Sequence, residues 1–146
     1  MRAVIQRIRR GSVTVNGNVV ASKISLGLMI FLGIGHEDSE EKAQAMAKKI
    51  ALLRIFEDEL GKMNLSILDV AGEAIVVSQF TLYADTRKGN RPSFIQAAAP
   101  DKAEALVNYF ADQLRLLGIN TQQGEFGAHM MVDILNDGPV TITLEY

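Results

Sequence analysis

The sequence predicts a single α+β domain over residues 1–146, in which mainly antiparallel β-sheets form a barrel-like core beside two principal helices. About seven segments have the length and the alternating or wholly apolar character of strands. Two longer segments carry apolar residues at helical spacing. The length suits one hydrophobic core, and a hydrophobic content of 48% is typical of a globular chain.

Strand patterns dominate the first third of the chain. Val13 and Val15 alternate with polar residues, and Asn16-Gly17 is a two-residue turn typical of a β-hairpin. Val19–Ala21 begins the return strand. Leu26–Ile34 is apolar at nearly every position, which predicts a central strand buried on both faces.

Two amphipathic segments predict the helices. Asp38 is the expected N-cap of the first, with Glu41 three positions later. Its buried stripe contains Ala43, Met46, Ala47, Ile50 and Ala51. The second helix begins near Pro100 and stops at Gly118. Its apolar face contains Ala103, Leu106, Val107, Phe110, Leu114 and Leu117.

The remaining segments are a long connection and a final pair of strands. Residues 56–72 show little periodicity, and loops of this length in compact domains are often functional. His129–Leu135 and Val140–Leu144 have strand character. The turn-forming residues 136–139 between them predict a hairpin.

Composition excludes several classes of site. The chain has no cysteine, which excludes disulfides, thiolate metal sites, iron–sulfur clusters and cysteine nucleophiles. Its two histidines, His36 and His129, have no partner at metal-ligand spacing, so we expect no metal and no cofactor. The longest apolar run is far shorter than the ~20 residues of a membrane-spanning helix, and the first residues lack the apolar core of a signal peptide. The expected location is the cytoplasm.

Basic residues form two clusters in a chain whose net charge is −2. The overall charge argues against binding that depends mainly on non-specific phosphate contacts. The first cluster lies within residues 1–36, which contain no acidic residue: Arg2, Arg7, Arg9, Arg10 and Lys23. The second contains Arg87, Lys88 and Arg91. Each is either a surface for one end of a polyanion or an ordinary solvated face.

Polar residues end an apolar run at Ser78, Gln79 and Thr81. In an extended segment Gln79 and Thr81 share one face, while Ser78 and Phe80 share the other. Such groups at the end of a buried strand either bond to the protein's own backbone or are available to a ligand. The sequence places no histidine or lysine to activate either hydroxyl. An enzyme with this site is therefore expected to hydrolyse an already reactive bond, such as an activated ester, by positioning and hydrogen bonding.

The turn Asn136-Asp137-Gly138-Pro139 is the second feature of the sequence with specific chemical properties. Proline has no amide hydrogen and glycine has no side chain, so this pair leaves backbone carbonyls accessible. Two carbonyls that point the same way can bind an ammonium group and exclude one hand of a chiral centre. The alternative is a turn with nothing bound.

The chain resembles the D-aminoacyl-tRNA deacylases almost from end to end. The resemblance is carried by MRAVIQRI (1–8), LRIFED and GKMN (53–64), SQFTLYAD (78–85), KGNRPSF (88–94), FGAHM (126–130) and NDGPVT (136–141). It implies a homodimer with active sites at the subunit interface. It also implies that the Gly138–Pro139 peptide bond is cis, with its carbonyls in the partner's pocket.

The resemblance also implies the roles of individual residues. Ser78, Gln79 and Thr81 would be catalytic, with Thr81 positioning groups or orienting water because it lacks a base. The substrate-binding residues would be Phe80, Leu82, Met130, Gly138 and Pro139. From its position on the first strand, Arg7 is expected to support the turn, Asn136 to support the site, and Arg87, Lys88 and Arg91 to meet the tRNA backbone. The alternatives are a structural ion pair for Arg7 and a solvated face for the cluster.

The activity implied by the resemblance is hydrolysis of the ester between a D-amino acid and the terminal adenosine of tRNA, with a neighbouring ribose hydroxyl assisting water. L-amino acids would be rejected by the Gly138–Pro139 turn, whereas glycine, including glycine mischarged on alanine tRNA, would be accepted. Two alternatives remain open at this point. One is an editing enzyme for L-alanyl-tRNA with a trans Gly138–Pro139 bond, and the other is a non-catalytic tRNA-binding module.

Overall fold

The computed structural model describes the backbone of residues 1–146 and every side chain except that of Lys23. The expectation that Lys23 belongs to a basic surface therefore lies outside the described side chains. The strands are β1 (Arg2–Val15), β2 (Asn18–Ile24), β3 (Gly27–Gly33), β4 (Phe56–Glu57), β5 (Met63–Leu65), β6 (Glu73–Ser78), β7 (Thr121–Gln123) and β8 (Met131–Glu145). The helices are α1 (Glu40–Ala51), α2 (Pro100–Leu116) and a short 3-10 helix (Phe80–Tyr83).

Strand β1 organises the main sheet. One edge of β1 pairs antiparallel with β3 over its first half and with β2 over its second half. Its other edge pairs antiparallel with β8 along almost the whole strand. Strands β6 and β7 extend the sheet in parallel from β3. Ser22 of β2 donates its backbone N–H to the Gln122 side chain of β7 at 2.7 Å, so the curved sheet nearly closes into a barrel.

Two apolar cores lie on opposite faces of this sheet. Leu28 and Ile30 of β3 belong to the core beneath the two helices, whereas Met29 between them belongs to the core inside the curved sheet. Strand β6 divides its buried residues in the same way. The predicted central strand is confirmed, and its apolar character on both faces is explained because both faces are covered.

The helices differ from the prediction mainly at their ends. The predicted stripe of α1 is buried, but its N-cap is Ser39 rather than Asp38. Asp38 was the wrong choice because its carboxylate instead binds the Met1 ammonium group and the N–H of Gly35. Helix α2 begins at Pro100 as predicted, and the chain leaves it through Gly118 at φ +92°.

Two segments have a different topology from the one the sequence predicted. The two final strand segments do not form a hairpin, because both pair antiparallel with the same strand, β1. Gln6 lies opposite Thr141 and Ile8 lies opposite Asn136, so residues 137–140 bulge out of one continuous strand at the position of Arg7. The long connection of residues 56–72 contains a small hairpin made of β4 and β5. Among the described helices, none has the length and apolar character needed to cross a membrane.

Candidate active site

The polar segment after β6 is a turn rather than an extended strand. Strand β6 ends at Ser78, and Phe80–Tyr83 forms a 3-10 helix, so the predicted alternation of side chains does not continue beyond Ser78. The Gln79 N–H donates to the Leu32 carbonyl at 2.8 Å, which holds the start of the turn against β3. Gly33 makes room for this approach, since a Cβ atom there would lie 2.9 Å from the Gln79 carbonyl oxygen.

Gln79 and Thr81 contact each other across this turn. The side-chain amide nitrogen of Gln79 donates to the hydroxyl oxygen of Thr81. An amide is not a base, and among the described side chains no other group bonds to this hydroxyl. Thr81 therefore has no partner that would turn it into an activated nucleophile. It is exposed, and it can orient a polar group of a bound molecule.

A cavity of about 650 Å³ opens beside this turn. Its lining is largely apolar and includes Ser78, Gln79, Phe80 and Met130 among the residues expected in the site. Phe80 is 58% exposed and packs edge to face against Phe94, with ring centroids 5.0 Å apart. A largely apolar cavity of this size with a few polar groups at one side is typical of a small-molecule or nucleoside site. Thr81 and Leu82 lie beyond the lining, on the turn that borders it.

The cavity also contains residues that sequence reasoning missed. Phe94, Phe126 and His129 line it, together with small residues at the start of α2. Among the described lining residues, His129 alone has a titratable side chain. The segments KGNRPSF and FGAHM carried the resemblance, but they have no periodicity that would have indicated a cavity wall. Among the described residues, no group of three or more histidine, aspartate or glutamate side chains could hold a metal ion.

The Gly138–Pro139 turn lies outside this cavity. Its peptide bond is cis, both residues are exposed, and neither lines the cavity of its own chain. The turn is held from beneath by Arg7, whose side chain is 4% exposed. Arg7 donates from Nε to the Asp137 carbonyl at 3.1 Å and from Nη1 to the Ile55 carbonyl at 2.6 Å.

Carboxylates complete the surroundings of Arg7. Nη2 lies 3.6 Å from the Glu57 carboxylate, and Nε lies 3.4 Å from that of Asp137. These partners compensate for the burial of the guanidinium group. Asn136, expected to support the site, is exposed and lies opposite Ile8 at the edge of the bulge.

The basic residues do not form two equivalent surfaces. In the first cluster, Arg2 pairs with Glu145 and Arg9 pairs with Asp137, whereas Arg7 is buried. These pairs remove much of the positive surface that the sequence suggested.

In the second cluster, Arg87 makes an ion pair with Asp85 at 2.6 Å. Hydrogen bonds from Arg87 hold the pKa of Asp85 well below its usual range. Lys88 and Arg91 are exposed on the same loop. Of this cluster, we therefore expect Lys88 and Arg91 to be the cations most available to an anion.

Comparisons with known proteins identify related chains. The family model described as D-Tyr-tRNA(Tyr) deacylase matches residues 4–145. D-aminoacyl-tRNA deacylases from Thermomicrobium roseum and Bacillus thuringiensis are 57% and 54% identical to the chain. Both alignments cover 99% of this chain, and they cover 94% and 99% of the respective relatives.

Two solved structures have the same fold. The one titled c-Myc DNA Unwinding Element Binding Protein is 45% identical, with a TM-score of 0.92, and the match covers 100% of this chain and 99% of that one. The other, titled as a probable eukaryotic D-amino acid tRNA deacylase, has a TM-score of 0.84 over 98% of this chain and 97% of that one. At 17% identity this second likeness concerns the fold alone.

The fold and these matches define a hydrolase that acts on the ester bond of aminoacyl-tRNA. An aminoacyl ester is already reactive, which agrees with a Thr81 hydroxyl that hydrogen-bonds to no base among the described side chains. Within this class, the chain belongs to the D-aminoacyl-tRNA deacylase family.

Proposed function

We propose that the chain works as a homodimer in which the cavity of one copy holds the terminal aminoacyl-adenosine and the Gly138–Pro139 turn of the other copy tests its chirality. The observation that carries this proposal is the separation of the two parts within one chain. The turn is exposed and absent from the lining of its own cavity, so a second copy is required to bring a turn and a cavity together.

The cavity has the features required by an adenosine and an ester. Its apolar lining and the exposed Phe80 ring offer surfaces against which the adenine ring can pack. Ser78 and Gln79 lie on the polar side of the cavity. Gln79 and Thr81 would position the ester and the attacking water. The neighbouring ribose hydroxyl of the substrate would then assist that attack, since the turn that carries Gln79 and Thr81 supplies no general base.

Chirality would be enforced by rejection rather than by recognition of a side chain. The carbonyls of Gly138 and Pro139 would accept hydrogen bonds from the α-ammonium group of the substrate. An L-residue held in this way would push its side chain into the turn, whereas a D-residue would send it towards solvent. Glycine has no side chain to clash, so glycine mischarged on alanine tRNA would also be hydrolysed.

The rest of the tRNA would meet the exposed loop that follows the site. Lys88 and Arg91 are exposed on this loop, and the bridge between Asp85 and Ser93 closes its base. Arg87 would contribute less to phosphate binding because it is already paired with Asp85. A substrate of this kind is consistent with a cytoplasmic location.

The test is deacylation of D-tyrosyl-, L-tyrosyl- and glycyl-tRNA by the purified protein, side by side, in the presence of a metal chelator. The proposal predicts rapid loss of the D-tyrosyl and glycyl esters and survival of the L-tyrosyl ester. Equal hydrolysis of the two tyrosyl esters would contradict chiral rejection.

Adding L-alanyl-tRNA to this set of substrates separates the two alternatives. An L-alanine editing enzyme would hydrolyse L-alanyl-tRNA and spare D-tyrosyl-tRNA. A binding module would hydrolyse none of these esters and would show strongly salt-dependent affinity for tRNA.

A further inference from the structure

A buried polar contact lies behind the 3-10 helix that carries Phe80 and Thr81. The last residue of this helix, Tyr83, is 9% exposed and donates its hydroxyl to the Asp38 carboxylate at 3.3 Å. The same carboxylate oxygen accepts the Gly35 N–H at 2.7 Å. Tyr83 thus joins the helix to the segment that follows β3. This contact has no part in the proposed hydrolysis.

The ring of Tyr83 packs closely against two glycines. A Cβ atom on Gly35 would lie 2.6 Å from the Tyr83 hydroxyl oxygen, and one on Gly33 would lie 3.3 Å from the Tyr83 ring. Cβ atoms essentially never approach another heavy atom to less than 3.0 Å, so a side chain at Gly35 would displace the tyrosine. The two glycines therefore make the position of Tyr83 possible.

Arg2 holds the same helix from another side. Its guanidinium carbon lies 4.6 Å from the centre of the Tyr83 ring, and Nη1 donates to the Leu82 carbonyl at 3.1 Å. In contrast, the side chains of Gln79 and Thr81 hydrogen-bond to each other. The orientation of these two side chains therefore depends on the backbone of the turn, which is anchored at Leu82 and Tyr83.

We infer that Tyr83 is a positioning residue for the deacylation reaction. Its hydrogen bond to Asp38 and its packing against Gly33 and Gly35 fix the turn that carries Gln79 and Thr81. This inference rests on the proposed role of Gln79 and Thr81 at the ester. Reactions that depend on positioning are sensitive to displacement, and a shift of about 1 Å can lower a rate by about 100-fold. Loss of one anchoring hydrogen bond would produce a smaller displacement and a smaller loss.

The test compares Tyr83→Phe with Tyr109→Phe, which removes a hydroxyl from a half-buried tyrosine of α2 that lies outside the cavity lining. We expect Tyr83→Phe to lower kcat for D-tyrosyl-tRNA by about tenfold with little change in KM, and Tyr109→Phe to leave both unchanged. Gly35→Ala, which keeps the hydroxyl but displaces the ring, should also lower kcat. Unchanged kcat in a folded Tyr83→Phe protein, with only a lower melting temperature, would overturn the inference.

A second measurement distinguishes failure of the anchor from failure of the proposed function. Backbone amide chemical shifts of residues 79–81 report the turn without reference to activity. Shifts that change in Tyr83→Phe together with kcat support the inference. Unchanged shifts overturn the anchoring role of Tyr83. Changed shifts with unchanged kcat overturn the proposed role of Gln79 and Thr81, and with it the inference that depends on that role.

Discussion

Replacement of Gly138 by alanine tests the proposed chiral check in a folded protein. Gly138 has φ +125°, a conformation that L-residues rarely adopt. The added methyl group would lie 2.8 Å from the Val140 side chain, 3.0 Å from the Val140 backbone nitrogen and 3.3 Å from Arg7 Nη2. Val140 is buried and Arg7 is held by several partners, so the turn itself is the part that must move.

The expected cost is moderate, but its effect on selectivity is large. A residue forced into such a conformation costs about 1–3 kcal/mol, which is less than the roughly 5–15 kcal/mol that keeps a typical domain folded. We therefore expect a folded variant with displaced carbonyls. Since rejection depends on the position of these carbonyls, the ratio of D-tyrosyl to L-tyrosyl hydrolysis should fall by at least about tenfold.

The matched control is Gly118→Ala. Gly118 also has a positive φ, +92°, but its added methyl group would meet no atom within 4 Å, and the residue lies beyond the far end of α2. This variant should lose stability and keep the selectivity of the unmodified chain. A Gly138→Ala protein that keeps its D/L ratio while melting earlier, as the control does, would refute the reasoning.

Three further predictions concern the turn, the buried carboxylate and the basic loop. Thr81→Val should lose less than about tenfold in kcat, because it removes an orienting hydroxyl, whereas loss of a covalent nucleophile costs of the order of 10⁶-fold; single-turnover deacylation measures this. Burial alone would raise the pKa of Asp38, but hydrogen bonds from the Gly35 N–H and the Met1 ammonium group lower it below its usual value. The ionised Asp38 carboxylate therefore stabilises the folded state above about pH 4. The difference in urea midpoint between the unmodified chain and Asp38→Asn should narrow as the pH falls below that value, and a difference that stays constant would contradict this. Lys88→Gln with Arg91→Gln should reduce the slope of log affinity for tRNA against log salt by about one per lost phosphate contact, and an unchanged slope would exclude these residues from the interface.

Local patterns predicted the elements whose structure is determined by neighbouring residues. The hairpin at Asn16-Gly17 formed where the turn residues indicated, and both turn residues have the positive φ that this pair favours. The buried stripe of α1 followed the helical period. Of the site residues that the resemblance implied, Ser78, Gln79, Phe80 and Met130 line the cavity, and their roles stay a prediction.

Patterns of the same kind failed where the deciding contact is distant in sequence. The residues 136–139 look like a hairpin turn, but the strands on both sides pair with β1, which lies more than a hundred residues earlier. Asp38 looks like a helix cap, but its partners include the first residue of the chain. Phe94 and His129 line the cavity from irregular segments, and irregular segments have no hydrophobic periodicity from which their burial could be predicted.

The central claim is that the turn of one copy tests the substrate in the cavity of another, and subunit mixing tests it directly. Gly138→Ala protein is co-refolded with an excess of a Gln79→Ala/Phe80→Ala variant, which has an intact turn and a disabled cavity. If the turn acts across subunits, hydrolysis of L-tyrosyl-tRNA per Gly138→Ala chain should fall as mixed dimers form, while hydrolysis of D-tyrosyl-tRNA persists. A D/L ratio that stays the same at every mixing ratio, with mixed dimers demonstrated by mass spectrometry, would contradict the account.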